Sequence, residues 1–170
     1  MDEQNVIQNP VDSGDARQGC LVLMQKLLAG LTVFERNVKI AHWNYQDYDF
    51  ISVHVWLDGV HDNVCEAIDA VAEEIRKGDF YPDATLSRCV ENSPVAPIES
   101  AGPCTKVMTF TMLTMGLVNL RKLCDELSTM ADENKFWTIQ DLANGILSKL
   151  NQHMYFVKNT TMGMNIPKED

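Results

Sequence analysis

Residues 50 to 76 read FISVHVWLDGVHDNVCEAIDAVAEEIR. Two stripes run through this stretch. Val53, Leu57, Val60, Val64, Ile68, Val71 and Ile75 recur every three or four positions, which is the period of one buried face of an α-helix. His54, Asp58, His61, Cys65, Asp69 and Glu73 follow those residues by one or two positions. At 3.6 residues per turn they form a second stripe, rotated by about 100° from the first. One face therefore serves a core and the next carries imidazoles and carboxylates, donors that suit iron, zinc or manganese.

Moving outward, the chain reads as four long helices. The first spans 15–46, with Asp15 and Gln18 spaced as a capping box and Met24, Leu27, Leu28, Leu31, Phe34, Val38 and Ala41 on its apolar face. The second spans 50–76, with Asp49 as its N-cap and Gly78 as its stop. Residues 78–103 contain Pro82, Pro94, Pro97 and Pro103, so they form a long connection, with Ala84 to Glu91 as a short helix inside it. Pro103 suits the first turn of a third helix over 103–132, striped by Val107, Phe110, Leu113, Leu117, Leu120, Cys124 and Leu127. The fourth spans 137–159, with Thr138 and Asp141 as a capping box and Ile139, Leu142, Ile146, Leu150, Met154 and Val157 inside. No strand-period alternation competes. The expected fold is all-α: a ferritin-like four-helix bundle with a long crossover carrying a short helix.

Composition supports one domain over residues 1–170, with residues 1–14 as a flexible acidic tail. Hydrophobic residues make up 45% of 170 positions, enough for a sizeable core. No apolar run approaches membrane-spanning length, and Met1-Asp2-Glu3 lacks the basic start of a secretory signal, so a cytoplasmic protein is expected. The five cysteines, Cys20, Cys65, Cys89, Cys104 and Cys124, are widely spaced without a CxxC pair, which argues for reduced thiols over a disulfide frame. The net charge of -10 disfavours nucleic acid and favours metal cations.

The ligand stripe poses a distance problem. His54 and Asp58 stand one turn apart, as do Asp69 and Glu73, but His54 and Glu73 are separated by about 28 Å of helix. A binuclear centre holds its metals only about 4 Å apart. Two copies of the helix, antiparallel about a twofold axis near Asn63, would bring His54 and Asp58 of one to Asp69 and Glu73 of the other, twice per dimer. His42, at the end of the first helix, is placed to join them. His61 and Asp62, close to that axis, are candidates for a further metal. Asp58-x-x-His61 also echoes the Glu-x-x-His motif of di-iron sites built inside one bundle, although the first helix offers only Glu35 as a carboxylate for that scheme.

The longer run from His42 to Arg76 resembles the signature of the Dps (DNA protection during starvation) family, the mini-ferritins. His42-Trp43-Asn44, Phe50, His54 with Asp58, Asp69 with Glu73, and Arg76 carry the resemblance. It implies a homo-oligomeric shell of twelve subunits that oxidises Fe(II) with hydrogen peroxide or oxygen, stores the ferric product and limits oxidative damage. It further implies a di-iron centre at a subunit interface, with His42, His54 and Asp58 from one subunit and Asp69 and Glu73 from its twofold mate. Trp43 would stand beside the centre, Asp141 would line an entry pore, and zinc is an alternative occupant. Departures are Asp47 where the family usually has Gly, and the absence of a Lys-rich N-terminal tail, the first lysine being Lys26. At -10 per chain a dodecamer carries -120, so DNA binding is not expected despite the family name. Two alternatives stand beside this reading: a DNA-compacting structural protein, and a bundle enzyme with an intra-chain di-iron site.

Overall fold

The computed structural model describes residues 16–99 and 102–167. Five helices follow in order: α1 (Ala16–Asn44), α2 (Phe50–Lys77), α3 (Leu86–Asn92), α4 (Lys106–Glu133) and α5 (Trp137–Thr160). The architecture is the expected all-α bundle. Helices α1 and α2 form one antiparallel pair and α4 and α5 another, α1 packs on α4, α2 on α5, and the short α3 lies against α1. The acidic tail and the Asp15 capping box lie outside the described residues.

The crossover must return the chain from the end of α2 to the opposite end of the bundle. It arrives where α1 stops. Cys104 N–H donates to the Asn44 carbonyl (2.8 Å) and Gln46 N–H to the Cys104 carbonyl (3.0 Å), a single bridge that ends α1 earlier than its periodicity suggests. Along the way, α1 holds the crossover by side-chain amides. Asn37 is buried; its Nδ2 donates to the Ala96 carbonyl and its Oδ1 accepts from Ile98 N–H. Gln25 serves Tyr81 and Asp83 in the same way. These bonds satisfy backbone groups that an irregular segment cannot pair within itself.

The apolar stripes form one core. Every residue assigned to the first helix's stripe is buried. On α2, Ala67 takes the buried place and Ile68 packs at its margin. Val107 is a correction, since it stands half exposed in the first turn of α4.

The helix ends differ most from expectation. α4 begins at Lys106 rather than Pro103, because the Thr105 hydroxyl accepts from Met108 N–H and caps it. α5 begins after Phe136 without a side-chain cap, and Thr138 instead donates to Glu74 on α2 at 3.0 Å. Asp49 precedes α2 but its side chain makes no cap bond. Its carboxylate accepts from Tyr45 Oη (2.6 Å) and Lys106 Nζ (2.7 Å), which ties the α1–α2 turn to the start of α4. Burial alone would raise the Asp49 carboxyl, but the bonds from Lys106 and Tyr45 outweigh it and hold the group below its usual range. Asp49→Ala would leave a covered ammonium and a buried hydroxyl without their acceptor, at a cost of about 1–3 kcal/mol. The folded carboxyl titrates below the unfolded one, so its contribution is complete above about pH 4 and is lost as pH falls through the folded value. Urea unfolding should therefore show the wild-type advantage over Asp49→Ala at pH 7 and its decline in acid. An advantage that persists undiminished in acid would contradict this role.

Candidate metal centre

His42 ends α1 and His54 opens the second turn of α2, so the tight turn at 45–49 brings them side by side. Their rings stack with centroids 3.7 Å apart. His42 Nδ1 lies 3.1 Å from the His54 carbonyl, and His54 Nδ1 lies 3.0 Å from the His42 carbonyl. A carbonyl only accepts, so each Nδ1 carries the hydrogen and each Nε2 keeps its lone pair. Backbone anchoring of one ring nitrogen is the usual way to present the other to a metal.

Asp58, one turn after His54, completes the group. Its Oδ1 lies 3.4 Å from His42 Nδ1 and accepts from Lys39 Nζ at 3.1 Å. Lys39, foremost, and the nearby His42 and His54 hold the Asp58 carboxyl below its usual range, against a smaller opposing effect of burial. Donor atoms of His42, His54 and Asp58 all lie within 4.8 Å of one another. Lys39 was not foreseen, although its position one turn before His42 on α1 is a signal the sequence carries.

Asp69 and Glu73 do not reach this group. Both are exposed further along α2. Eleven residues separate Asp58 from Asp69, close to three full turns, so the second pair points the same way as the first. One chain thus presents two groups of candidate ligands, or half-sets, on one outward face. Around the first half-set Trp43 is 59% exposed, and Tyr48, Phe50, Ile51 and Val55 also present apolar surface to solvent. The Phe50 ring lies 4.9 Å from that of His54.

His61 turns towards α1. Its Nε2 lies 2.9 Å from Glu35 Oε1, whereas Asp62 Oδ1 stands 3.4 Å from Nδ1 and is largely exposed. His153 on α5 is buried beside Trp56, with Nε2 3.2 Å from Asn63 Nδ2, and burial lowers its pKa. That is a packing role. Asp141 stands exposed in the second turn of α5. Among the described residues no helix is long and apolar enough to cross a membrane.

The ferritin-like domain family matches residues 22–162. The chain belongs to that family. A relative, the DNA protection during starvation protein of Listeria innocua, is 27% identical over 135 residues, covering 77% of this chain and 84% of its own length. Antigen TpF1 from Treponema pallidum shares the fold with a TM-score of 0.83 at 19% identity, over 89% of this chain and 96% of its own. The Dps protein of Vibrio cholerae O1, described as a member of a broad superfamily of ferritin-like diiron-carboxylate proteins, superposes with a TM-score of 0.80 at 18% identity, over 85% of this chain and 90% of its own. Within the ferritin-like family the Listeria innocua relative supports the Dps mini-ferritin branch, and the two solved structures show the shared fold.

Proposed function

We propose that this ferritin-like chain oxidises Fe(II) with hydrogen peroxide, or oxygen, at centres shared between two copies, and stores the ferric product in a twelve-subunit shell. The observation that carries the reading is the pair of half-sets on one face of α2. His42, His54 and Asp58 converge and are anchored for ligation, while Asp69 and Glu73 point the same way too far off to join them. Antiparallel pairing of α2 about a twofold axis would complete two equivalent centres. The exposed aromatic and aliphatic side chains around His42 and His54 suit burial in such a contact.

Iron here is substrate and cargo. Two imidazoles and three carboxylates leave coordination positions open for the oxidant. Two Fe(II) ions each give one electron. Peroxide takes both, its O–O bond breaks, and with two protons it becomes two waters. Paired transfer avoids the hydroxyl radical that a single electron would release. Trp43 stands beside the centre in this scheme, Asp141 serves iron entry, and zinc is an occupant that would block turnover because it has no accessible second oxidation state. The reading as a DNA-compacting protein gains nothing from the charge of -10 per chain.

Fe(II) added anaerobically and followed by peroxide in a stopped-flow instrument should give a ferric absorbance phase much faster than the protein-free reaction. A rate equal to that of buffer would sink the proposal.

A further inference from the structure

A second group of metal-ligating side chains lies in the α1–α2 groove, two turns along α2 from His54. His61 Nε2 is 2.9 Å from Glu35 Oε1 and 3.6 Å from Cys65 Sγ, and donor atoms of all three residues lie within 4.8 Å of one another. A tetrahedral ion with Zn–N, Zn–O and Zn–S bonds of ordinary length needs its ligand atoms about 3.3–3.6 Å apart. The His61–Cys65 separation already meets that, and the Glu35–His61 pair needs to open by only a few tenths of an ångström. Sγ also lies 3.9 Å from Nδ1, so it stands beside the ring, and the Cys65 side chain or the His61 ring must rotate for sulfur to meet an ion on the Nε2 lone pair.

We infer that Glu35, His61 and Cys65 form a separate mononuclear site, one per chain, for a divalent cation of borderline softness such as zinc.

The donor chemistry separates it from the His42–His54–Asp58 group. That group has no sulfur and suits harder ions, while a thiolate with an imidazole and one carboxylate selects zinc-like cations. Cys65 is the exposed thiol of the five, whereas Cys20, Cys89, Cys104 and Cys124 are buried. Without a bound cation, burial first and then the negative charge of Glu35 and Asp62 push the Cys65 thiol above its usual range, opposed by Lys39 and Arg36, so the thiol proton is released only as a cation binds. On binding, the thiol proton leaves to solvent and the cation takes its place between sulfur, imidazole and carboxylate. All three ligands come from one chain, on two helices that the tight turn already fixes. The site therefore does not depend on the shared iron centre and goes beyond it. Its effect on the fold would be to clamp α1 to α2 about one turn from the Lys39–Asp58 ion pair that already joins these helices.

Cobalt(II) is the probe, because a cobalt–thiolate bond gives a charge-transfer band in the near ultraviolet that nitrogen and oxygen ligands do not. The full-length protein, stripped of metal and kept reduced and anaerobic, should develop this band to one equivalent per chain and lose it when zinc is added. Cys65→Ser should abolish the band. Glu35→Gln should weaken cobalt binding by more than the roughly 10–100-fold that loss of a supporting partner costs. The double variant His54→Ala/Asp58→Ala should keep the band unchanged. No band in the wild-type protein, a band that survives Cys65→Ser, or a band lost with His54 and Asp58 would each overturn the assignment. Should Cys65→Ser fail to fold by circular dichroism, Glu35→Gln decides: unaltered cobalt affinity there also overturns it.

Discussion

Replacing His54 and Asp58 together with alanine removes the fast ferric phase, with a loss beyond the roughly 10–100-fold expected for residues that only support a metal ligand. Asp69→Ala/Glu73→Ala does the same from the other half-set. The sharper result comes from mixing the two variants. If each centre takes His42, His54 and Asp58 from one chain and Asp69 and Glu73 from its mate, a mixed dimer holds one centre with both halves ruined and one with both halves intact. Denatured, mixed in equal amounts and reassembled, the two inactive variants should recover about a quarter of the wild-type centres: half of random dimers are mixed, and each has one good site of two. An intra-chain centre gives no recovery at all. The same experiment therefore separates the shared-site proposal from the reading as a bundle enzyme with its own di-iron site. Both variants change side chains on the outward face of α2 and leave its buried stripe intact, so helix content by circular dichroism should not move. An unchanged fast phase in either variant alone would remove those residues from the centre.

The helices and the bundle were legible because periodicity reports burial directly, and the α1 and α2 stripes are long enough to leave no competing period. The convergence of His54 with Asp58 was legible for the same reason, since both lie on one helix. His42 joined them only through the turn at 45–49, whose geometry depends on Asp49 binding Tyr45 and Lys106 instead of capping α2. A cap motif states which residue can satisfy a helix terminus, not which of several nearby donors will claim it. Thr138 illustrates this again, bound to Glu74 across helices. The Glu35–His61–Cys65 group escaped for a different reason. In sequence the acidic neighbour of His61 is Asp62, while its nearer partner in space, Glu35, stands 26 residues away on α1. Which polar residues meet across two helices depends on the rotation of each about its axis, and a single stripe does not fix that.

That rotation rests on a specific contact, which gives the largest stability effect expected here. Phe34 is fully buried on α1 and its ring lies over Gly116 on α4, so close that a Cβ there would stand 2.4 Å from Phe34 Cδ2 and 2.5 Å from Cε2. Phe34→Ala should cost about 3–5 kcal/mol, from lost burial and the cavity left behind. Gly116→Ala sets two effects against each other. Alanine gains about 1 kcal/mol in a helix interior, but an overlap of this size with a packed ring must move the ring or the helix, at about 1–3 kcal/mol. The clash should win, and the variant should unfold at lower urea concentration than wild type, measured at one fixed protein concentration so that self-association cannot bias the comparison. The double variant tests the mechanism. With Phe34 truncated, the new methyl enters vacated space and the overlap vanishes, so the combined loss should fall short of the sum by about 0.5–3 kcal/mol. Full additivity would show that Gly116 does not sense Phe34. The consequence reaches both candidate metal sites, because Glu35, Lys39 and His42 follow Phe34 on the adjacent face of the same helix. Seating Phe34 on a residue without a side chain fixes the roll of α1, and with it the side of the groove from which these three residues meet His61, Asp58 and His54 on α2.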